Sequence, residues 1–243
     1  MHWVGCRLSA DAVQVFSIDD GAPVFQVVPG ATPFTWIFAG REVIVSTRPA
    51  LTSPTTTDAI DRGIGPLKIA FDDRGVERWR AERRGSVRGT ADGLFVMTPT
   101  TVSEIDLTSG APRWSRRSPN EEETVVATTP TLVLLTDEAG SVVALDRPGG
   151  GDRWRYAPGE AIRRTPRTDP ARPALVVGDG HVVAVALAPG DPISGLTIFD
   201  ESDGRVEHRD PSVRASGLAI GAGSIAYTEG FAPKAAVVVE RLP

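Results

Sequence analysis

The stretch from Val143 to Tyr156 carries the residue types of a binding site. It holds the carboxylates of Asp146 and Asp152, three consecutive glycines at 149–151, and Trp154 between two arginines. Carboxylates bind cations, a glycine-rich turn can present backbone N–H groups to a phosphate, and an indole ring can stack on a planar ligand. Each chemistry has to be weighed against a structural role for the same residues.

The same spacing occurs four more times in the chain, which favours the structural role. In every copy an aspartate stands two to four residues before a glycine, and an aromatic residue or a histidine stands four residues after it. The five copies are Asp19, Gly21 and Phe25; Asp72, Gly75 and Trp79; Asp106, Gly110 and Trp114; Asp146, Gly150 and Trp154; and Asp200, Gly204 and His208. Aspartate bonds the backbone two residues on and glycine supplies a positive φ, so each copy predicts a hairpin turn. The aromatic residue predicts packing against the next repeat.

The repeat predicts an all-β fold, a β-propeller of four-stranded antiparallel blades. The glycines at 21, 75, 110, 150 and 204 are 35 to 54 residues apart, and a spacing of about 40 residues with four strands is typical of a propeller blade. We expect one domain over residues 1–243 with five to six blades. Complete blades are predicted at about 33–82, 86–117, 123–156 and 174–209, and partial blades at 1–30 and 216–243.

The two ends do not close the ring cleanly. Residues 1–30 give only a strand pair, Val13–Ser17 and Val24–Val27, and residues 216–243 give three strands without a fourth. Two interpretations stay open: a ring with an irregular seam, or a piece of a longer propeller that begins in mid-blade at Met1.

Composition limits the function classes. The formal net charge of −5 argues against a nucleic-acid partner. The single cysteine, Cys6, can form neither an internal disulfide nor a Cys-His metal site. No window approaches the roughly 20 apolar residues of a transmembrane helix, and the first residues lack the pattern of a signal peptide.

No catalytic, cofactor-binding or metal-binding residues are predicted. His2, His181 and His208 have no partner at metal-ligand spacing. The glycines at 149–151 lack the Lys and Ser/Thr of a phosphate loop, and no calcium loop of alternating acids occurs. The twelve residues of the last four repeats, from Asp72 to His208, are therefore predicted to be structural.

Two features lie outside the repeat. The segment Arg48–Pro66 is rich in Thr, Pro and Ser, and loops of this length are usually functional or disordered. We also hypothesise that two edges of the fold differ in charge. Acids collect in the turns between third and fourth strands, and arginines collect in the connections between blades.

The repeat resembles that of the pyrroloquinoline-quinone-like (PQQ-like) propellers. The similarity rests on Ala144-Leu145-Asp146 with Gly150 and Trp154, and on Ile105-Asp106-Leu107-Thr108-Ser109-Gly110 with Trp114. It extends over roughly residues 13–240, and the Trp-Asp pair of the WD repeat is absent. The family includes quinoprotein dehydrogenases and non-catalytic propeller lipoproteins of outer-membrane assembly. The quinoproteins carry an adjacent cysteine pair, which a chain with one cysteine lacks.

The resemblance implies a non-catalytic scaffold that binds a protein partner through loops or a channel face in the bacterial cell envelope. One alternative is a channel-mouth ligand binder or a PQQ-dependent enzyme. Another is a sensory or anchoring propeller domain of a larger protein. The resemblance implies an extracytoplasmic location, whereas the chain, if complete as written, would be cytoplasmic. The oligomeric state is not predicted.

Overall fold

The computed structural model describes most of the chain: residues 3–7, 12–30, 33–47, 67–83, 85–90, 92–118, 123–137, 141–157, 174–185, 195–210, 212–213, 215–229 and 236–242. All regular structure in these residues is β-strand. The strands form six antiparallel sheets in two compact units, Met1–Ser118 and Pro119–Pro243, with three sheets in each. Arg48–Pro66 lies outside the described residues. None of the described segments forms a helix that could cross a bilayer.

The first unit contains one three-stranded and two four-stranded sheets. In each sheet, neighbours in space are also neighbours in sequence. The strands are β1 (Trp3–Arg7), β2 (Val13–Ser17) and β3 (Pro23–Val27); β4 (Pro33–Ala39), β5 (Glu42–Thr47), β6 (Leu67–Phe71) and β7 (Glu77–Glu82); and β8 (Ser86–Gly89), β9 (Leu94–Thr98), β10 (Thr101–Ile105) and β11 (Pro112–Arg117).

The second unit contains two four-stranded sheets and ends in a three-stranded one. The strands are β12 (Thr124–Thr128), β13 (Leu132–Thr136), β14 (Val142–Asp146) and β15 (Asp152–Tyr156); β16 (Ala174–Gly178), β17 (His181–Val185), β18 (Leu196–Asp200) and β19 (Val206–Asp210); and β20 (Ala215–Gly221), β21 (Ser224–Glu229) and β22 (Ala236–Arg241). These meanders have the architecture of propeller blades.

The first sheet has one strand more than the sequence predicts. Strand β1 pairs with β2 along its whole length, from Trp3 opposite Ser17 to Arg7 opposite Val13. Its five residues include a glycine, a cysteine and an arginine and do not alternate clearly in polarity. Periodicity alone therefore could not identify it, and only pairing with β2 reveals it.

The hairpin between the last two strands has the same irregularity in five sheets. The register shifts by one residue just before the turn, for example between Glu104 and Ile105 and between Ala144 and Leu145. A bulge of this kind bends the strand and increases its twist. The last strand is thereby turned relative to the one before it, and Trp79 and Trp154 each reach the next sheet of their unit.

Apolar side chains fill the spaces between neighbouring sheets within a unit. In the first unit, Ala70 and Trp79 pack with Leu94, Val96 and Ile105 of the following sheet. In the second unit the same pattern recurs around Trp154. Strand β13 is buried at all five positions, whereas in β15 only Trp154 is buried. In this sheet the second strand is core, and the fourth strand forms the charged outer edge.

Candidate interaction surface

The aspartates of the repeat shape the turns that they precede. Asp72 Oδ1 accepts hydrogen bonds from the backbone N–H groups of Arg74 and Val76, both at 2.9 Å. Asp106 Oδ1 accepts from the N–H groups of Thr108 and Ser109, at 3.1 and 2.9 Å. These bonds are the ones that the predicted aspartate turn requires.

The same bonds set the charge state of these carboxyl groups. The backbone N–H of Val76 holds the pKa of Asp72 below its usual range, with help from Arg74 and the nearby guanidinium of Arg78. Ser109, through its backbone N–H and its hydroxyl, lowers the pKa of Asp106. Hydrogen bonds to the ionised form favour it, so these carboxylates stay charged and bound in place at neutral pH.

An arginine on the fourth strand completes the turn, and the sequence interpretation missed it. Arg78 Nη2 lies 3.2 Å from Asp72 Oδ2, and Arg153 Nη2 lies 2.7 Å from Asp146 Oδ1. Arg113 and Asp106 form the third such pair, at 3.1 Å. The signal was present as an Arg-Trp dipeptide in three repeats. These arginines neutralise part of the acidic edge, and the charge difference between the two edges stays a hypothesis.

In three of the repeats, the glycine of the turn lies against the aromatic residue of the preceding sheet. A Cβ added to Gly110 would stand 2.6 Å from Cδ2 of Trp79, and one added to Gly204 would stand 2.5 Å from Cδ2 of Trp154. The indole N–H of Trp79 donates to the carbonyl of Leu107 at 2.6 Å. Each tryptophan thus packs on the next turn and is hydrogen-bonded to it.

The second unit repeats this hydrogen bond. The indole N–H of Trp154 donates to the carbonyl of Glu201 at 2.9 Å. In the first unit, a Cβ on Gly75 would meet the carbonyl oxygen of Gln26 at 2.8 Å and the ring of Phe25 at 3.2 Å. Phe25 therefore takes the tryptophan position in the first sheet.

Trp114 and His208 depart from this pattern. The indole N–H of Trp114 donates at 3.0 Å to the carboxylate of Glu104, a residue of its own sheet that is buried where the other sheets have Ala70 or Ala144. His208 is exposed. The last sheet has three strands in the described part of the chain and so offers no third hairpin turn on which His208 could pack.

Three polar side chains of the second sheet have buried atoms. Lys68 is fully buried on β6, at the position that Val142 takes on β14, and burial lowers its pKa to about 8. It stands opposite Ser46, whose buried hydroxyl makes no hydrogen bond. Glu42 has a buried Oε2 without a hydrogen-bond partner, and burial raises its pKa to about 7, with Arg78 opposing the rise.

His181 and His208 do not form a metal site with other side chains in the described residues. Nδ1 of His181 lies 2.9 Å from Oε2 of Glu207, although neither atom makes a hydrogen bond there, and His208 is on a separate strand position. His2 lies outside the described residues. No group of three or more His, Cys, Asp or Glu in the described ranges could hold a metal ion.

Strand β22 is more exposed than the third strands of the four-stranded sheets. It pairs with β21 from Ala236 to Arg241, and no strand of the described residues pairs with its other edge. Val237 and Val239 are 74% and 66% exposed. The equivalent Leu196 and Ile198 on β18 are buried. An apolar strand with an open edge is a template for pairing with another chain, and we treat β22 as the candidate interaction surface.

Comparisons with known proteins agree with the propeller architecture. The family model described as "Outer membrane protein assembly factor BamB" matches residues 98–238. BamB from Moraxella catarrhalis has a TM-score of 0.59 and 18% identity, over 98% of this chain and 69% of that one. The computationally designed protein Ika8 has a TM-score of 0.65 and 11% identity, over 99% of this chain and 67% of that one.

A WD-repeat propeller is also similar. The C-terminal WD40 domain of Sif2 has a TM-score of 0.56 and 11% identity, over 91% of this chain and 59% of that one. At such identities the likeness shows the fold alone, and the predicted β-propeller class is confirmed. A search of curated protein sequences gives no match.

Proposed function

The chain belongs to the family of the outer membrane protein assembly factor BamB, and from this membership we propose that it is a non-catalytic scaffold that binds a protein partner in the cell envelope. The observation that carries the proposal is strand β22, where Val237 and Val239 are exposed and no strand of the described residues pairs with the outer edge. Main-chain groups on such an edge bind an added strand, and exposed apolar side chains mark protein interfaces.

The repeated aspartates and tryptophans make contacts within the protein, which supports a scaffold rather than an enzyme. The carboxylates that the sequence repeats are engaged by turn N–H groups and by arginines, as at Asp72 and Asp106. The repeated tryptophans Trp79 and Trp154 are committed to packing on the next turn. Side chains that are held in these contacts are not available to bind a substrate.

The residues of the chain also do not fit the quinone site that the PQQ-like resemblance brings to mind. A single cysteine cannot supply an adjacent cysteine pair. The buried carboxylate of Glu104 is already bound by the indole of Trp114. No step of a quinone-dependent reaction is assigned to this chain.

Site-specific photo-crosslinking tests the proposal. A photoreactive amino acid replaces Val237, and the chain is irradiated in cells of its source before the envelope is fractionated. We expect one discrete adduct with an envelope protein. Val76 provides the matched control, because it is a valine of similar exposure, 57%, on a hairpin of the repeat. Equal adducts from both positions, or none from Val237, would contradict the proposal.

An activity assay tests the non-catalytic part separately. The purified chain is supplied with pyrroloquinoline quinone, calcium and an alcohol, and reduction of an artificial electron acceptor is followed. We expect a rate equal to that without protein. A rate that depends on the quinone would favour the enzyme alternative.

A further inference from the structure

We propose that His181 and Glu207 form a pH-sensitive clamp, which holds the outer strand β19 in mild acid and releases it when His181 loses its proton. His181 begins β17 and Glu207 lies on β19, so the pair joins the two strands that flank β18. The clamp is a device of the second unit and does not depend on β22 or on a partner protein.

The two side chains meet in a place that is closed to solvent. Nδ1 of His181 lies 2.9 Å from Oε2 of Glu207, and each side chain is only 17% exposed. Both atoms are buried, and neither makes a hydrogen bond in the structure. A buried carboxylate oxygen is costly unless a donor meets it. A protonated imidazole supplies that donor at Nδ1 together with the opposite charge.

The second sheet has a charge pair at the same two positions, with the signs reversed. Glu42 and His181 each begin the second strand of their sheet directly after a two-residue turn. Arg78 and Glu207 are each the extra residue of the bulge in the last hairpin. Burial raises the pKa of Glu42 and Arg78 opposes the rise, so the two positions interact electrostatically. The same attraction in the sheet of β16 to β19 requires a cationic His181.

The ionisable groups around His181 are mostly acids. They are Asp179 in the turn before β17, Asp200 on β18, Arg205, Glu207 and His208 at β19, and Glu240 on β22 of the adjoining sheet. Asp200 is the register partner of His181. A proton on His181 therefore places a cation among carboxylates, and its loss removes the attraction.

The acids other than Glu207 have partners of their own. Asp179 accepts a hydrogen bond from the backbone N–H of Gly223, and Glu240 accepts one from the hydroxyl of Tyr227, both at 2.8 Å. Asp200 accepts from the backbone N–H and the hydroxyl of Ser202.

Glu207 divides its two oxygens between two bases. Nη2 of Arg205 lies 3.1 Å from Oε1, and the Arg205 side chain is 65% exposed. Oε2 is left facing His181. Arg205 stays charged throughout the range in which histidine titrates. The change of pH therefore acts on the His181 side of the carboxylate.

Strand β19 is suited to be held or released in this way. In the described residues it pairs with β18 alone, and a register shift between Ile198 and Phe199 interrupts that pairing. His208 is exposed at the position where Trp79 and Trp154 anchor their strands to the next sheet. Edge segments with few buried contacts open locally at a small cost in free energy. The clamp adds a second connection, from β19 to β17.

Amide hydrogen exchange on the full chain tests the clamp. The protection of residues 206–210 is measured at about pH 5.5 and pH 8, on either side of the range in which histidine changes charge, and is corrected for the intrinsic pH dependence of exchange. It is divided by the protection of β15, the outer strand of the preceding sheet in the same unit, which removes changes in overall stability. We expect the ratio to fall roughly three- to fivefold from the lower to the higher pH, as for a partly exposed ion pair.

Two substitutions of His181 separate charge from shape. His181→Lys keeps a cation at both pH values, so the ratio should stay high. His181→Gln has no charge at either pH, so the ratio should stay low. Glu207→Gln keeps the histidine but removes its anionic partner, and it should also abolish the pH dependence.

His208→Gln is the matched control, because His208 is the other histidine of this sheet and lies on β19 itself. This variant should keep the full fall in the ratio. Circular dichroism checks that each variant folds, and if the His181 variants do not fold, the comparison of the parent with Glu207→Gln decides.

Three results would overturn the proposal. The first is a ratio in the parent that does not change with pH. The second is a pH dependence that survives in His181→Gln or in Glu207→Gln, which would place the sensor elsewhere. The third is its loss in His208→Gln, which would make His208 the sensor.

Discussion

The indole of Trp79 lies directly on Gly110 of the following sheet, and it donates its N–H to the carbonyl of Leu107 in the same turn. Trp154 and Gly204 repeat the arrangement in the second unit. The fourth strand of one sheet thereby holds the hairpin of the next. Two features require glycine at position 110. Its φ is +70°, and any Cβ would overlap the ring of Trp79.

The variant Gly110→Ala tests this contact. We expect a loss of roughly 2 to 4 kcal/mol in the free energy of unfolding, since a strained positive φ and an overpacked contact each cost about 1 to 3 kcal/mol. Urea unfolding followed by tryptophan fluorescence measures the loss.

Gly149→Ala is the matched control. Gly149 lies in the equivalent hairpin of another sheet, but a Cβ there would meet nothing within 4 Å, and its φ is not positive. We expect a change within about 0.5 kcal/mol. Equal effects of the two alanines would show that the contact with Trp79 does not hold the sheets.

Glu42 makes stability fall as pH rises toward neutrality. Burial raises its pKa in the folded chain to about 7, above its ordinary value of 4.5. Its contribution is therefore fully present below pH 4.5 and is lost as pH rises through about 7. Glu42→Gln removes this dependence, so the variant should match the parent at pH 4.5 and exceed it at pH 8. Thermal unfolding at both pH values measures the difference, and a constant gap would contradict the assignment.

Asp106 makes the stability of the folded chain fall as pH decreases, which is the opposite of the effect of Glu42. Its pKa is held below its ordinary value by Ser109 and Arg113, so its contribution is present above about pH 4 and is lost as pH falls through the lowered value. Asp106→Asn should therefore destabilise the chain at pH 7 and converge with the parent in acid. Asp19→Asn, at an exposed turn position, should change little at either pH.

Lys68 weakens the core at neutral pH. It is fully buried, and burial lowers its pKa to about 8 from 10.5, so its cost is full below pH 8 and decreases as pH rises toward 10.5. Lys68→Met removes this pH dependence, so the free energy of unfolding of the variant relative to the parent should be higher at pH 7 than at pH 10. Thermal unfolding at both pH values measures the difference. An equal difference at the two pH values would contradict the lowered pKa.

The repeat made the fold predictable, because each copy combined turn chemistry and strand pattern at a fixed spacing. Asp146, Gly150 and Trp154 had an architectural meaning only when set beside the other copies. Strand β1 escaped prediction because a strand held by pairing alone needs no internal periodicity. The structural role assigned to His208 depends on a neighbouring hairpin, and the last sheet has none in the described residues.

The candidate surface was only partly visible in the sequence. The missing fourth strand of the last repeat could be read from the spacing, yet the exposure of Val237 and Val239 depends on what packs on that sheet in three dimensions. The pairs between Arg78 and Asp72 and between Arg153 and Asp146 cross a bulged hairpin, so the repeated Arg-Trp dipeptide did not by itself show that the arginine reaches the aspartate. The burial of Lys68 required the register with Ser46.

Amide hydrogen exchange along β22 tests the central claim most directly. The purified chain is measured alone and with the partner captured by crosslinking from Val237. We expect slower exchange confined to residues 236–241, with the hairpin turns around Gly110 and Gly150 unchanged. Protection of those turns without protection of β22 would contradict it.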